Sequence, residues 1–295
     1  MSGYHLRHGG KMINSMSENS ILLKLKRISK VFSKGTVDEV RALDKIDLDV
    51  AVEDYITVIG SNGAGKTTLL NIISGVYPPE SGEIILNGRS ISKLSEYRCA
   101  EFVGRVYQDP HVGTAAKMTI EENMAMALLR GKSRGLRVAT NKQRRELFRA
   151  ALAPLGLGLE NRLNALVGTL SGGQRQALAL VMATLSNPAI LLLDEHIATL
   201  DPRTAQIVLD LTDMVVKQEK MTAIMVTHNM EMALRHGNRL IMMHKGRIVV
   251  DMNQEQRADL SIQDLVVAFE RASGEEFVDD NVLLRPGNVV GTADL

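Results

Sequence analysis

Apolar positions in this chain fall into two kinds of run. Near the front, ILLKLKRI (residues 21–28), residues 46–50 and residues 83–86 are short and strand-like, broken by turn signals at Pro78-Pro79 and Asn87-Gly88. They predict an antiparallel sheet. Between them, Tyr55-Ile56-Thr57-Val58-Ile59 has the pattern of a buried strand, and Thr67 to Ile73 reads as the opening of a helix. From about residue 119 to 165 the spacing turns helical, in TIEENMAMALL and in KQRRELFRAALAPL. After Leu170 the two kinds alternate: helix 174–186, strand 190–193, helix 205–217, strand 222–226, helix 230–236, strand 240–243. Such alternation predicts a parallel sheet covered by helices. The tail after Asp251 holds one predicted helix, 262–272. Residues 1–20 are polar and unpatterned and read as a disordered leader, with Met12 and Met16 as alternative starts.

Composition narrows the class. An apolar fraction of 45% is ample for a buried core within 295 residues, and a net charge of +1 argues against a general nucleic-acid binder. Cys99 is the only cysteine, so no intrachain disulfide is possible and a reducing cytoplasm is the natural setting. No apolar run approaches the roughly 18 residues that cross a bilayer, and the polar N-terminus lacks the apolar segment of a signal peptide. Membrane work by this chain therefore requires other subunits.

The chemistry is concentrated in five phrases. GSNGAGKTT, from Gly60 to Thr68, fits G-x-x-x-x-G-K-[ST] at Gly60, Gly65, Lys66 and Thr67. In that loop the backbone N–H groups of Gly60, Ser61, Asn62, Gly63, Ala64, Gly65, Lys66, Thr67 and Thr68 surround phosphate oxygens, and the lysine reaches the β/γ pair. A strand before the loop and a helix after it put a positive helix end at the phosphates. ILLLDE places Asp194 and Glu195 after four apolar residues, as at the end of a central parallel strand, where ligands of α/β folds collect. YQDP carries Gln108, LSGGQRQ runs from Leu170 to Gln176, and VTHN carries His228.

In their order along the chain (GSNGAGKTT, YQDP, LSGGQRQ, ILLLDE, VTHN), the phrases resemble those of ATP-binding cassette (ABC) ATPases over roughly residues 22 to 250. The resemblance implies an α/β fold: a P-loop NTPase (RecA-like) parallel-sheet core with an antiparallel β-subdomain and a helical subdomain inserted at about 110–168. The cassette would occupy 21–250, followed by the 251–295 tail. It also implies ATP and Mg²⁺. Lys66 is the expected cation on the β/γ oxygens, and Thr67, Asp194 and Gln108 are the expected metal contacts, with Asp194 acting through water. Glu195 is positioned to polarise the attacking water, Gln108 to contact both ion and water, and His228 to bond the γ-phosphate. Phe32 matches the aromatic that stacks adenine, although a core phenylalanine explains it nearly as well. Ser171, Gly172, Gly173 and Gln174 open an amphipathic helix and form a second anion site; the resemblance implies that it caps ATP held by a second copy of the chain. Leu200-Asp201 fits the loop that touches that copy. For an isolated Asp-Glu pair or lone histidine the plainer reading is a solvated turn or a structural ring; here co-occurrence of the motifs favours catalysis.

Two departures from the family pattern and one charge cluster stand out. The commoner Pro-Thr-Ser-Ala after the carboxylate is His196-Ile197-Ala198-Thr199, where His196 is expected to be structural and Ala198 to lose one cross-dimer hydrogen bond. Glu53 stands where glycine is usual before the P-loop strand. Residues 130–149 hold eight basic side chains against Glu146 alone, either a solvated helix face or a contact for anionic headgroups. The expectation is an ATPase at the cytoplasmic face of the inner membrane, peripheral, powering separate ABC permease subunits. Uptake of an amino-acid-like solute, delivered by an extracytoplasmic solute-binding protein, is preferred. Alternatives are an efflux or lipoprotein-release cassette, a soluble ABC ATPase of translation or repair, and a regulatory nucleotide-binding module without hydrolysis.

Overall fold

A computed structural model of the chain describes residues 20–131 and 141–274. The expected leader lies outside these residues except for Ser20, as do part of the basic cluster and the chain beyond residue 274.

Among the described residues, ten strands form two sheets. β1 (Ile21–Phe32), β2 (Val40–Ala51), β4 (Ser81–Leu86) and β5 (Arg89–Ser90) make an antiparallel sheet in the order β2-β1-β4-β5. The second sheet has the order β10-β9-β3-β8-β7-β6, from β3 (Tyr55–Ile59), β6 (Val103–Val106), β7 (Ile190–Asp194), β8 (Thr222–Val226), β9 (Arg239–His244) and β10 (Arg247–Asn253). All its pairs are parallel except β9 with β10. The strands near the front are longer than their apolar runs, because β1 and β2 go on pairing beyond them through register shifts, with Lys30 opposite Leu43 and Phe32 opposite Val40.

β3, β7 and β8 are buried along their whole length, and their side chains still alternate between the two faces. Ile190, Leu192, Ile224 and Val226 pack toward the antiparallel sheet and α1 (Lys66–Ile73), while Leu191, Leu193, Ala223 and Met225 pack into a second core on the opposite face. Continuous apolar runs of this kind are what a sheet covered on both faces requires. The short helices α2 (Glu96–Cys99) and α3 (Pro110–Gly113) flank β6. The second core takes in α4 (Ile120–Leu128), α5 (Lys142–Leu152), α6 (Gly172–Thr184) and α7 (Pro202–Gln218). Thr119 and Glu122 close a reciprocal capping box on α4, the arrangement that the TIEE sequence encodes. Arg145 and Glu121 pair at 2.7 Å, tying α5 to α4, so this one member of the basic run is not simply solvated.

α8 (Met230–Arg235), α9 (Gln254–Arg257) and α10 (Ile262–Ser273) follow among the described residues. Leu265 and Phe269 of α10 pack with Met230, Ala233, Leu240 and Met242, so this helix is docked on the core. β10 crosses the expected 250/251 boundary, and Asp251 holds Arg239 through two hydrogen bonds, 2.7 and 2.6 Å. The turn before β3 places Glu53 at φ +64°, the left-handed region that glycine favours, and its N–H donates to Thr222 Oγ1 at 2.9 Å. No helix among the described residues is long and apolar enough to cross a membrane.

Candidate nucleotide site

Four consecutive strands, β3, β8, β7 and β6, end at one edge of the parallel sheet, and each delivers one of the motifs there. The P-loop follows β3, Thr227-His228 follows β8, Asp194-Glu195 closes β7, and Gln108 lies just beyond β6. Parallel strands leave their carboxyl ends side by side, so residues distant in sequence converge without any long loop.

Backbone conformation shapes the P-loop. Gly60, Gly63 and Gly65 have φ of +149°, +77° and +98°. A Cβ on Gly60 would run into the Met243 carbonyl oxygen, and one on Gly65 into that of Ala42. Gly65 is the N-cap of α1, with no side-chain cap and no acidic residue in the first turn. By contrast α4, α6 and α10 all carry reciprocal capping boxes. The first-turn N–H groups of α1 thus receive no capping side chain and suit an anion. Lys66 is 5% exposed and donates to the Gly60 and Ser61 carbonyls at 2.7 and 3.0 Å. Burial pushes its amine pKa down, opposed by the nearby Glu195 and Asp194 carboxylates. Asn62 and Gly63 are exposed at the crest of the loop, Ala64 is buried beneath it, and Thr68 is half-buried in the helix behind.

Thr67 Oγ1 lies 3.3 Å from Asp194 Oδ1. This all-oxygen pair suits a hard cation such as Mg²⁺, which is ordinarily held by one or two protein oxygens and substrate phosphates. Among the described residues no group of three or more His, Cys, Asp or Glu side chains is placed to hold a metal ion. Glu195 Oε1 meets His228 Nε2 directly. Glu195 has φ +45°, and its N–H donates to Val226 O at 3.1 Å, fixing the turn to β8. Gln108 is exposed and makes no hydrogen bond to Thr67, Asp194 or Glu195. The sequence reading missed Arg105, buried between these elements; its only signal is a charge inside the short strand Val103–Val106.

Phe32 pairs with Val40 across β1 and β2, and two residues further along β2 the Ala42 carbonyl lies against Gly65 of the P-loop. Its ring meets Tyr77 edge-on at 5.4 Å, with Lys30 over both. At the signature, Ser171 Oγ accepts from Gln174 N at 3.3 Å and Gln174 Oε1 from Ser171 N at 3.2 Å, a reciprocal cap. Gly173 has a reason within the chain, since a Cβ there would strike the Thr204 side chain of α7, while Gly172 is exposed. Asp201 caps α7 by accepting from Thr204 N at 3.1 Å.

The ABC transporter family profile matches residues 43–198. The chain belongs to the ABC transporter family. A tyrosine transport ATP-binding protein of Clostridioides difficile (strain R20291) is 41% identical over 251 residues, covering 85% of this chain and all of that protein. The lipoprotein-releasing ATP-binding protein LolD of Chromohalobacter salexigens is 34% identical, covering 80% and 97%. Among solved structures, the dimeric ATP-binding cassette MJ0796 in a post-hydrolysis state with ADP and Pi superposes with TM-score 0.68 at 26% identity, covering 79% of this chain and 99% of that one. The chain is therefore a P-loop ABC ATPase subunit that binds ATP and hydrolyses it to ADP and phosphate.

Within the cassette, the residue after Glu195 is anchored inward. His196 is 1% exposed, and its Nε2 lies 3.0 Å from Thr212 Oγ1, which itself donates to Val208 O at 2.8 Å. The imidazole thus donates from Nε2, and burial pushes its pKa down to about 4. Since the unfolded chain binds this proton near pH 6.5, the neutral ring's contribution is complete above that pH and is lost as pH falls toward about 4. The expected penalty is on the order of 3 kcal/mol by pH 4. His196→Leu should narrow the gap in Tm between pH 7 and pH 5; an unchanged gap would remove His196 from the acid sensitivity.

Proposed function

We propose that this cassette drives uptake of an amino-acid-like solute through separate permease subunits at the cytoplasmic face of the membrane. In this reading an extracytoplasmic solute-binding protein delivers the solute. Two copies of the cassette share two ATP molecules, each held by one copy's P-loop and capped by the other's Ser171, Gly172, Gly173 and Gln174. The observation that carries the hydrolytic part is the meeting of Glu195 with His228 beside Lys66, Thr67 and Asp194. Lys66 leaves its loop carbonyls to hold the β/γ oxygens, and the first-turn N–H groups of α1 bind the same phosphates. Glu195 accepts the proton of the attacking water, and His228 orients that carboxylate while bonding the γ-phosphate. Thr67, Asp194 and Gln108 would hold Mg²⁺. When bound, this ion neutralises charge on the phosphate oxygens. Phe32 stacks adenine, and Asp201 sets the loop facing the second copy.

The solute class rests on the tyrosine transport relative at 41% identity, against 34% for the lipoprotein-releasing one. Proteoliposomes holding the cassette with its permease and binding protein should take up tyrosine or another amino acid when ATP is supplied on the cassette side. Extraction of a lipoprotein instead, with no amino-acid uptake, would favour the releasing system.

The cradle has a separate test. Lys66→Ala should weaken ATP binding roughly 10–100-fold, the loss of a charge-assisted bond to phosphate. Unchanged affinity in a fluorescence titration would remove Lys66 from the phosphate site.

A further inference from the structure

Arg105 sits at the rear of the proposed cation site. Its Nη2 is 2.9 Å from Asp194 Oδ2, and both side chains are 8% exposed. Nη1 donates to Asn71 Oδ1 at 2.6 Å and to Ser74 Oγ at 3.1 Å, both on or just after α1. The guanidinium lies over the Tyr107 ring at 4.5 Å. The two oxygens of Asp194 are thereby divided, with Oδ1 facing Thr67 and Oδ2 held by the arginine.

We infer that Arg105 is a positioning residue that acts through Asp194: it is a fixed internal counter-charge that keeps the carboxylate pair from binding a divalent cation until nucleotide phosphates arrive. Two acidic residues, Asp194 and Glu195, stand together here, and a pair of carboxylates attracts divalent ions by itself. Two cations, Lys66 and Arg105, oppose them. Lys66 is free to turn to phosphate, since only loop carbonyls hold it. Arg105 is not, because Asn71, Ser74 and Tyr107 hold it as well as Asp194. Its charge therefore remains beside Asp194 throughout the cycle, and the phosphates must supply the negative charge that completes the site. Two effects of removing it compete. Loss of an orienting partner generally weakens a metal site, whereas a buried carboxylate stripped of its cation gains strongly from any new one. The second effect wins because Asp194 is also held by Thr67 and by its place at the end of a buried strand.

The proposal rests on Thr67 and Asp194 being the cation residues, and the test separates the two. Mn²⁺ binding would be followed by electron paramagnetic resonance, with and without ADP. Without nucleotide, Arg105→Met should bind Mn²⁺ at least about tenfold more tightly than the unaltered protein. Arg105→Gln, which keeps a polar group, should do the same and serves if the methionine variant does not fold. Arg105→Lys should stay near the unaltered affinity, because it keeps the charge. Adding Asp194→Asn to Arg105→Met should erase the gain. Unchanged or weaker Mn²⁺ binding in both neutral variants would overturn the counter-charge role, as would a lysine variant that behaves like them. If Asp194→Asn alone leaves Mn²⁺ binding with ADP unaltered, the cation reading of Asp194 fails first, and the counter-charge falls with it.

Discussion

Glu195→Gln should bind ATP as tightly as the unaltered cassette while its turnover falls by about 10²–10⁴-fold. The amide has nearly the shape of the carboxylate, and its Oε1 can still accept from His228 Nε2, the contact seen here. It cannot take a proton from water. The backbone at 195 is at φ +45° in either case, so the substitution adds no strain that would confuse the result. ATP that is bound and not hydrolysed should also hold two chains together, and size-exclusion chromatography with ATP should show a dimer absent without it. Turnover at the unaltered rate would remove Glu195 as the base. Lost turnover without a dimer would leave the base in place and count against the shared site.

Mixing two inactive variants should restore activity. Ser171→Arg is expected to bind ATP as a monomer yet fail to dimerise or hydrolyse, because a bulky cation fills the helix end that must receive the γ-phosphate of the other copy. Ser171 is the better position for this test than Gly173. A side chain at 173 would collide with Thr204 within the same chain, so loss of function there would have an ordinary packing cause. Ser171 is exposed, and replacing it removes a helix cap at a cost of about 1 kcal/mol, which a melting curve will register. Combined with Lys66→Ala, each mixed dimer has one composite site with both defects and one with neither. ATPase activity that appears only on mixing would establish complementation across the dimer. Full activity of Ser171→Arg alone would overturn the shared site.

Much of the core was legible because its signals are local. Tyr55–Ile59 and Thr222–Val226 are apolar runs broken only by Thr57 and Thr222, and both form strands of those lengths, since a doubly covered strand buries every position and its few hydroxyls find partners, as Thr57 Oγ1 does in donating to Ala233 O. The helix 262–272 and the alternation after Leu170 were equally plain. β6 and β10 were not: Arg105 interrupts the first with a charge, and RIVVDMN mixes apolar and polar positions at the sheet edge. In both cases pairing to a neighbouring strand outweighs the local pattern.

The sequence by itself determined the phosphate loop, the family and the parallel core, because each is written in a contiguous phrase or a simple period. It also pointed to His196 as structural. Only the tertiary structure decided which residues meet. Glu195 touches His228 because β7 and β8 are neighbours, and Arg105 reaches Asp194, Asn71 and Ser74 because β6, β7 and α1 converge. It also assigned Gly173 a packing role against Thr204 that the phrase LSGGQRQ does not reveal. The physical reason is the same in each case. A short motif fixes backbone shape and local charge, whereas the partners of a buried polar group are set by strand order and helix docking, which join residues far apart in the chain.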